Sequence, residues 1–373
     1  MSDFEIIDVE AHYLKMPSIR ERTDSSQDTL LVRISTNAGI TGIGEVDSSP
    51  LVVKSIIEAP YSHEMVSGLR HLLVGENPLE ISRLWDKMLR GTIYYGRGGA
   101  VIHAMAGVDL ALWDLKGKIL QRPVYELLGG GYSTEHRVYA SHMFSFTPKE
   151  NAERAAAAAD AGYTAMKFGW EPMGPDPDLD EALVAAIRKG AGTADIMVDA
   201  GLAWDAKTAL SRARRFEQYQ PFWLEEPLMP GDLRGYALLS DATDLRIAAG
   251  EQECTAEGYL RLMDQGRVDV VQIDVTRVGL TEAVRIARLA ADRGLPVCNH
   301  NFTTDINTAA SLHLLASIPN ALMLEYCVEE TDLSKSLVRN PPRIEGGTAY
   351  VPTEPGLGVE LDDATIEKYL VTI

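Results

Sequence analysis

The chain has 373 residues, 46% hydrophobic and 24% charged, a balance that suits a soluble globular protein and points away from disorder, collagen or a disulfide scaffold. A formal net charge of −19, with no compensating basic patch, sets it against nucleic acid and anionic membranes, so an acidic ligand must be caught by a local cation. The length fits a barrel of about 250 residues plus a smaller companion better than one domain.

In chain order, residues 4 to 14 read as a strand, and Leu30 to Val46 as two strands joined at Asn37-Ala38-Gly39, where glycine can take positive φ. Between them Ser18 to Asp28 is polar and aperiodic, as expected of a mobile loop over a binding site. Helical patterns follow near 50 to 72, 78 to 90 and 99 to 118. The N-terminus lacks a basic region followed by an apolar one, and no stretch approaches the roughly 18 apolar residues of a membrane span. Cys254, Cys298 and Cys327 have neither metal spacing nor a disulfide pattern and read as reduced thiols, so a cytoplasmic location is expected.

From about Val138 short apolar runs alternate with amphipathic stretches: Thr164 to Phe168, Asp195 to Val198, Phe222 to Leu224, Leu245 to Ala248, Val268 to Ile273, Pro296 to Cys298 and Ala321 to Leu324. Parallel strands need helical crossovers, so the alternation predicts a parallel sheet, and seven or eight units in series predict a closed barrel. The tail from about Gly346 is turn-rich and is expected to pack back on the first domain.

Each run ends at or just before a residue able to do chemistry: Lys167, Asp199, Glu225, Glu251, Asp274, His300 and Glu325, spaced 23 to 32 residues apart. In a barrel these converge at the C-terminal mouth, where barrel enzymes keep their active sites. Any one carboxylate after a strand is more often a helix N-cap, but caps would favour serine, threonine or asparagine more often than this set does. Asp199, Glu225 and Glu251 offer only oxygen, which suits Mg2+ and disfavours zinc; ion pairing with Lys167 or His300 is the competing reading. Asp274 beside His300 can fix the imidazole tautomer of a general base. Asn299, Asn301, Gln252 and Gln272 add polarity suited to a hydroxylated substrate, although amides there also cap helices.

At these residues the sequence resembles the mandelate racemase and muconate-lactonizing branch of the enolase superfamily. The resemblance spans Gly42-Ile43-Gly44-Glu45, the run from Asp109 to Lys118, Leu127-Leu128-Gly129-Gly130, Val198-Asp199, Trp223-Leu224-Glu225-Glu226-Pro227, Gly250-Glu251, Asp274 and His300. It implies an α/β fold, a modified TIM barrel of (β/α)7β form over 131–345. An α+β capping domain over 1–130 would be completed by a C-terminal segment, 346–373. It implies Mg2+ held by Asp199, Glu225 and Glu251, His300 oriented by Asp274 as the base, Lys167 at the substrate carboxylate, and Glu325 hydrogen-bonding the ene-diolate. It further implies a small carboxylic acid as partner and a homo-oligomer.

Two departures bear on the reaction. Two-base racemases of this kind carry Lys-x-Lys, whereas Lys167-Phe168-Gly169-Trp170 has glycine at the second lysine, which argues against racemisation. Gly201 stands where relatives often have asparagine. One histidine suffices for dehydration of an aldonate or aldarate to a 2-keto-3-deoxy acid. A cycloisomerase or lactonizing reaction uses the same groups, a racemase needs another second base, and a non-catalytic metal-stabilised barrel is the reading outside enzymes. Candidate substrate contacts are His12, Arg22, Ser48, Ser49, Tyr94, Tyr95 and Arg97 from the first domain, with Trp170, Asn299 and Asn301 from the barrel; the arginines could equally be solvated and the tyrosines core edges.

Overall fold

The structure is a computed structural model that describes residues 4–20, 24–329 and 331–372. β1 (Ile6–Lys15), β2 (Asp28–Thr36) and β3 (Thr41–Val46) form an antiparallel sheet in that order. The turn between β2 and β3 falls where the sequence predicts it, with Gly39 at φ 73°. Helices α1 (Pro50–Glu58), α2 (Leu69–Leu73), α3 (Ile81–Gly91) and α4 (Ala100–Leu120) follow. The pattern expected as helix over 50 to 72 is thus two helices. Pro60 disfavours helical backbone in the residue before it, and Ala59 accordingly turns away from the helix at ψ 140°.

Glycine at two hairpin positions is explained by close packing of β3 on α4. A Cβ on Gly44 would lie 2.0 Å from the Gly107 carbonyl oxygen, and one on Gly42 2.1 Å from that of Ala111. Two buried aspartates of α4 tie the units together. Asp114 accepts from Ile43 N at 2.9 Å, Leu357 N at 2.8 Å and Lys118 Nζ at 2.6 Å, joining hairpin, helix and tail. Asp109 accepts from Thr281 N at 2.9 Å and Thr281 Oγ1 at 2.6 Å, fastening the helix to the barrel. Fully paired, these carboxylates avoid the cost of unsatisfied burial.

After α5 (Val124–Leu127) come β4 (Glu135–Met143), α6 (Pro148–Asp160), β5 (Ala165–Gly169), α7 (Pro177–Ala191), β6 (Asp195–Asp199), α8 (Ala206–Phe216), β7 (Trp223–Glu225) and α9 (Leu233–Ala242). The series continues through β8 (Arg246–Ala249), α10 (Ala256–Arg261), β9 (Val270–Ile273), α11 (Val275–Ala291), β10 (Val297–Asn299), α12 (Asp305–Ala316) and β11 (Leu324–Cys327). β4 to β10 pair in parallel in sequence order, and β11 pairs in parallel with β4. Leu322 N donates to Val297 O at 2.8 Å, which brings β11 alongside β10 and closes the (β/α)7β barrel. Beyond α13 (Asp332–Ser336), the hairpin β12 (Ile344–Glu345) and β13 (Thr348–Tyr350) pairs with the start of β4. The final helix, α14 (Asp363–Tyr369), leads back to the first sheet, where Val371 N donates to Tyr13 O at 2.8 Å.

The two-residue period of strands organises the barrel interior. Tyr139, Ala165, Met197, Trp223, Ala248, Val270, Cys298 and Met323 form one buried apolar layer, with a residue from each strand or its start. Two positions further along lie Ser141, Lys167, Asp199, Glu225, Gln272, His300 and Glu325, all buried. β8 departs from the period: Gly250, at φ 144°, occupies the corresponding position, and Glu251 follows it. The polar ring therefore sits one layer above an apolar plug, at the C-terminal ends of the strands.

Candidate active site

Lys167 is the hub of one half of this ring. Its Nζ lies 2.5 Å from Glu225 Oε1, 2.7 Å from Glu325 Oε1 and 3.5 Å from Asp199 Oδ2. Burial opposes its charge, but Glu225, Glu325, Asp199 and Glu251 overcome that and hold it protonated. Glu225 Oε2 accepts from Trp223 Nε1 at 2.9 Å. Glu325 is gripped at both oxygens, Oε1 by Ser141 Oγ at 2.7 Å and Oε2 by Asn301 N at 2.8 Å. Burial alone would raise the Glu325 pKa; Lys167 and His300 reverse the direction and keep it ionised.

The other half is built on His300 and Asp274. His300 Nδ1 donates to Asp274 Oδ2 at 2.7 Å, while its Nε2 lies 3.0 Å from Glu251 Oε2. Asp274 is also the N-cap of α11: its Oδ1 accepts from Thr276 N at 2.8 Å and Thr276 Oγ1 at 2.6 Å. Capping and orientation, set against each other as readings of the sequence, thus occupy different oxygens of one carboxylate. Burial disfavours a charged His300, but Glu251, Asp274 and Glu325 raise its pKa to about 10. Arg277, three residues after Asp274, donates to Glu251 O and to Asp47 Oδ2, each at 2.8 Å. Asp47 follows β3, and Glu45 of β3 accepts from Thr304 Oγ1 at 2.8 Å, so the first domain reaches the catalytic face at two points.

The expected metal trio is not gathered around one point. Lys167 draws Asp199 and Glu225, while His300 and Gln252, whose Nε2 donates to Glu251 Oε1 at 3.0 Å, draw Glu251. Among the described residues, the three potential ligands within 4.8 Å of one another are Asp47, Asp274 and His300. Arg277 is already inserted between the two aspartates, at 2.8 Å and 3.8 Å, which makes that trio a poor cation site. The chemistry of the strand-end donors, by contrast, fits a hard cation. Burial raises Asp199 to about 6 and Glu225 to about 8 despite Lys167. Glu226 is raised well above the usual range by burial and by Glu251, Asp199 and Glu225, and its buried Oε2 has no hydrogen-bond partner. Too little positive charge serves these acids, and oxygen donors of this kind suit Mg2+.

An inner cavity is lined by residues that include Ser141, Lys167, Trp170, Asp199, Glu251, Gln252, Arg277, His300 and Phe302. Several expected substrate contacts lie elsewhere. His12 is in β1 beside Glu10, and Tyr95 donates its hydroxyl to Ser67 O at 2.7 Å, so both belong to the first domain's own packing. Asn299 accepts from Glu325 N at 2.7 Å and stitches β10 to β11; Asn301 Nδ2 donates to Thr308 Oγ1 at 2.8 Å. Their amides serve the backbone and α12. Arg22 lies outside the described residues. Sequence reasoning missed Ser141, Asp47 and Arg277. Arg277 did leave a signal, because a cation in a helix's first turn opposes the macrodipole and needs a local reason.

Both glycine departures have steric causes. A Cβ on Gly169 would lie 2.6 Å from Asp199 Cβ, and one on Gly201 would lie 2.9 Å from the indole of Trp170.

Residues 6–129 match the mandelate racemase/muconate lactonizing enzyme N-terminal domain, and residues 150–365 the enolase C-terminal domain-like family. D-xylonate dehydratase of Haloferax volcanii is 32% identical over 93% of this chain and 87% of its own. D-galactonate dehydratase of Ralstonia pickettii is 32% identical over 90% of each. The crystal structure of 3,6-anhydro-D-galactonate cycloisomerase from Zobellia galactanivorans superposes with a TM-score of 0.89 at 31% identity, over 99% of this chain and 100% of that one. The chain belongs to the mandelate racemase and muconate lactonizing enzyme family of the enolase superfamily.

Proposed function

We propose that this protein is a Mg2+-dependent dehydratase that converts a sugar acid, an aldonate or aldarate, to a 2-keto-3-deoxy acid. The observation that carries the reading is His300 on the cavity wall, hydrogen-bonded to Asp274, with glycine at residue 169. The relatives named as xylonate and galactonate dehydratases support the same reaction class.

Asp199, Glu225 and Glu251 would hold a divalent cation, which would supply positive charge for the substrate carboxylate and for the charge that grows on it as the α-proton leaves. Asp274 fixes the Nδ1–H tautomer of His300 and leaves Nε2 to face the cavity. Glu251, 3.0 Å away, favours the proton on Nε2; with that carboxylate turned aside, Nε2 would be free to take the α-proton. The C–O bond to the β-carbon then breaks. His300 returns the same proton to the departing hydroxyl, which leaves as water, and the enol tautomerises to the keto acid. Lys167 can turn from Glu225 to the substrate carboxylate. Glu325, now an acceptor, would need a proton to donate to the intermediate.

A second base at residue 169 is disfavoured because any side chain there collides with Asp199. A cycloisomerase would use the same His300 chemistry, and the superposition on the Zobellia enzyme favours it as the second reading. Purified protein with Mg2+ should be screened against stereochemically complete aldonic and aldaric acids, with His300→Asn as control. Keto acid from the parent and none from the variant is the expected result. If no acid yields keto acid while anhydro acids rearrange, the cycloisomerase reading replaces this one.

A further inference from the structure

The inner cavity measures about 80 Å³, well below the roughly 300–1,000 Å³ of ordinary ligand sites. It has room for the reacting end of a sugar acid and not for the whole chain. A second, outer cavity of about 630 Å³ opens beside it, lined by loops that follow β4, β5 and β6. Trp170 lines both.

Trp170 is held firmly at this junction. Its backbone is in the left-handed region at φ 67°, its N–H donates to Asp199 O at 3.1 Å, and its carbonyl accepts from Met173 N at 3.1 Å. The indole lies against Gly201, in the space that a Cβ would fill. A larger residue at 201 would push the ring from this recess. The outer wall is otherwise Phe146, Pro172, Met173 and Pro175, with small residues between; its one ionisable lining group among the described residues is Glu171. A second carboxylate there would find no cation among the described lining residues and would face Glu171, whereas a neutral hydroxylated chain can lay its C–H faces on the indole and send its hydroxyls to water.

Building on the dehydratase reading, we infer that the outer cavity is the subsite for the substrate's distal carbons, that Trp170 is its floor, and that it selects a monocarboxylic sugar acid with a neutral tail over the matching dicarboxylic acid.

The test uses pairs of aldonic and aldaric acids that share every common stereocentre, together with four-carbon acids, on the full chain with Mg2+. The parent should turn over the monoacid with kcat/KM at least tenfold above its diacid partner, and six-carbon monoacids should outperform four-carbon ones. Trp170→Ala should erase most of that chain-length advantage through KM, with Trp170→Phe keeping part of it. Glu171→Arg should raise diacid kcat/KM about tenfold by supplying the missing cation. Equal or better use of the diacid by the parent, or unchanged chain-length dependence in Trp170→Ala, overturns the inference. If no acid of either kind is turned over, the dehydratase reading fails and the subsite is judged by binding. A larger ligand-induced rise in Tm from monoacids than from diacids supports it, and an equal or smaller one refutes it.

Discussion

Asp274→Asn separates the two tasks of one carboxylate. Asparagine keeps Oδ1 as an acceptor for Thr276 N, so the cap of α11 survives. In place of Oδ2, however, it presents an N–H2 group 2.7 Å from His300 Nδ1. Two donors cannot face each other, so His300 must carry its proton on Nε2 and cannot take another from substrate. Loss of general-base catalysis is worth about 10²–10⁴ in rate, and kcat should fall by that much. Stability should fall by only about 1–2 kcal/mol, the difference between a charge-assisted and a neutral hydrogen bond. Asp274→Ala should lose the same activity and about 1 kcal/mol more stability, because the cap goes too. Initial rates of keto acid formation, α-proton exchange in D2O and denaturant unfolding check the three statements. An asparagine variant within about threefold of parental kcat would refute the tautomer argument, and equal unfolding midpoints for the two variants would refute the separate capping role.

Mg2+ at a hundred times its Kd should stabilise the protein by about 2.7 kcal/mol, and chelation should reverse it; calorimetric scans check this, and Glu225→Gln should abolish most of the shift. Gly169→Lys, which restores the racemase pattern, should lose Mg2+ affinity and activity without gaining α-inversion, since its Cβ falls 2.6 Å from that of Asp199; polarimetry and metal titration decide. Burial lowers the pKa of His142 to about 3, with help from Arg154, and that of His313 to about 4. Unfolded histidine binds its proton near pH 6.5, so the unfolded chain takes up more protons between these values. Stability from these residues is full above about pH 6.5 and is lost as pH falls toward 4, at up to about 1.4 kcal/mol per pH unit for each. Denaturant melts at stepped pH should show that slope, and His313→Gln should flatten it.

The ring of strand-end residues was legible because two independent periods coincide on it. The βα repeat spaces the strands, and the two-residue strand period sends every second side chain inward, so Ala165 and Lys167, or Met197 and Asp199, point the same way. Where a period breaks, the reading weakens. Gly250 takes the inward position just after β8, with φ at 144° and a Cβ there falling 2.3 Å from the Gln272 carbonyl oxygen, and the acid comes one residue later. The helix expected over 50 to 72 failed for a related reason, since apolar periodicity continues across Pro60 while the backbone does not.

Contacts between the first domain and the barrel were not legible, because they join residues far apart in the sequence with no shared period. Asp47 and Arg277 meet at 2.8 Å, and Glu45 meets Thr304, yet nothing local in either segment requires it. His12, Tyr95, Asn299 and Asn301 are expected at the substrate for their polarity, but polarity only marks a residue as able to bind, and packing decides whether its polar atoms are free; Trp170, expected with them, does line the cavity. Asn299 is polar and beside His300, but its oxygen is consumed by Glu325 N, where the barrel closes. Arg277 shows the converse. Its guanidinium reaches Asp47 of the first domain, lies 3.8 Å from Asp274, and donates to the backbone of Glu251. A single half-buried cation therefore links the cap to both the His300–Asp274 pair and a proposed metal ligand. Docking of the first domain and order at the catalytic face are coupled through it, and removal of Arg277 should disturb both together.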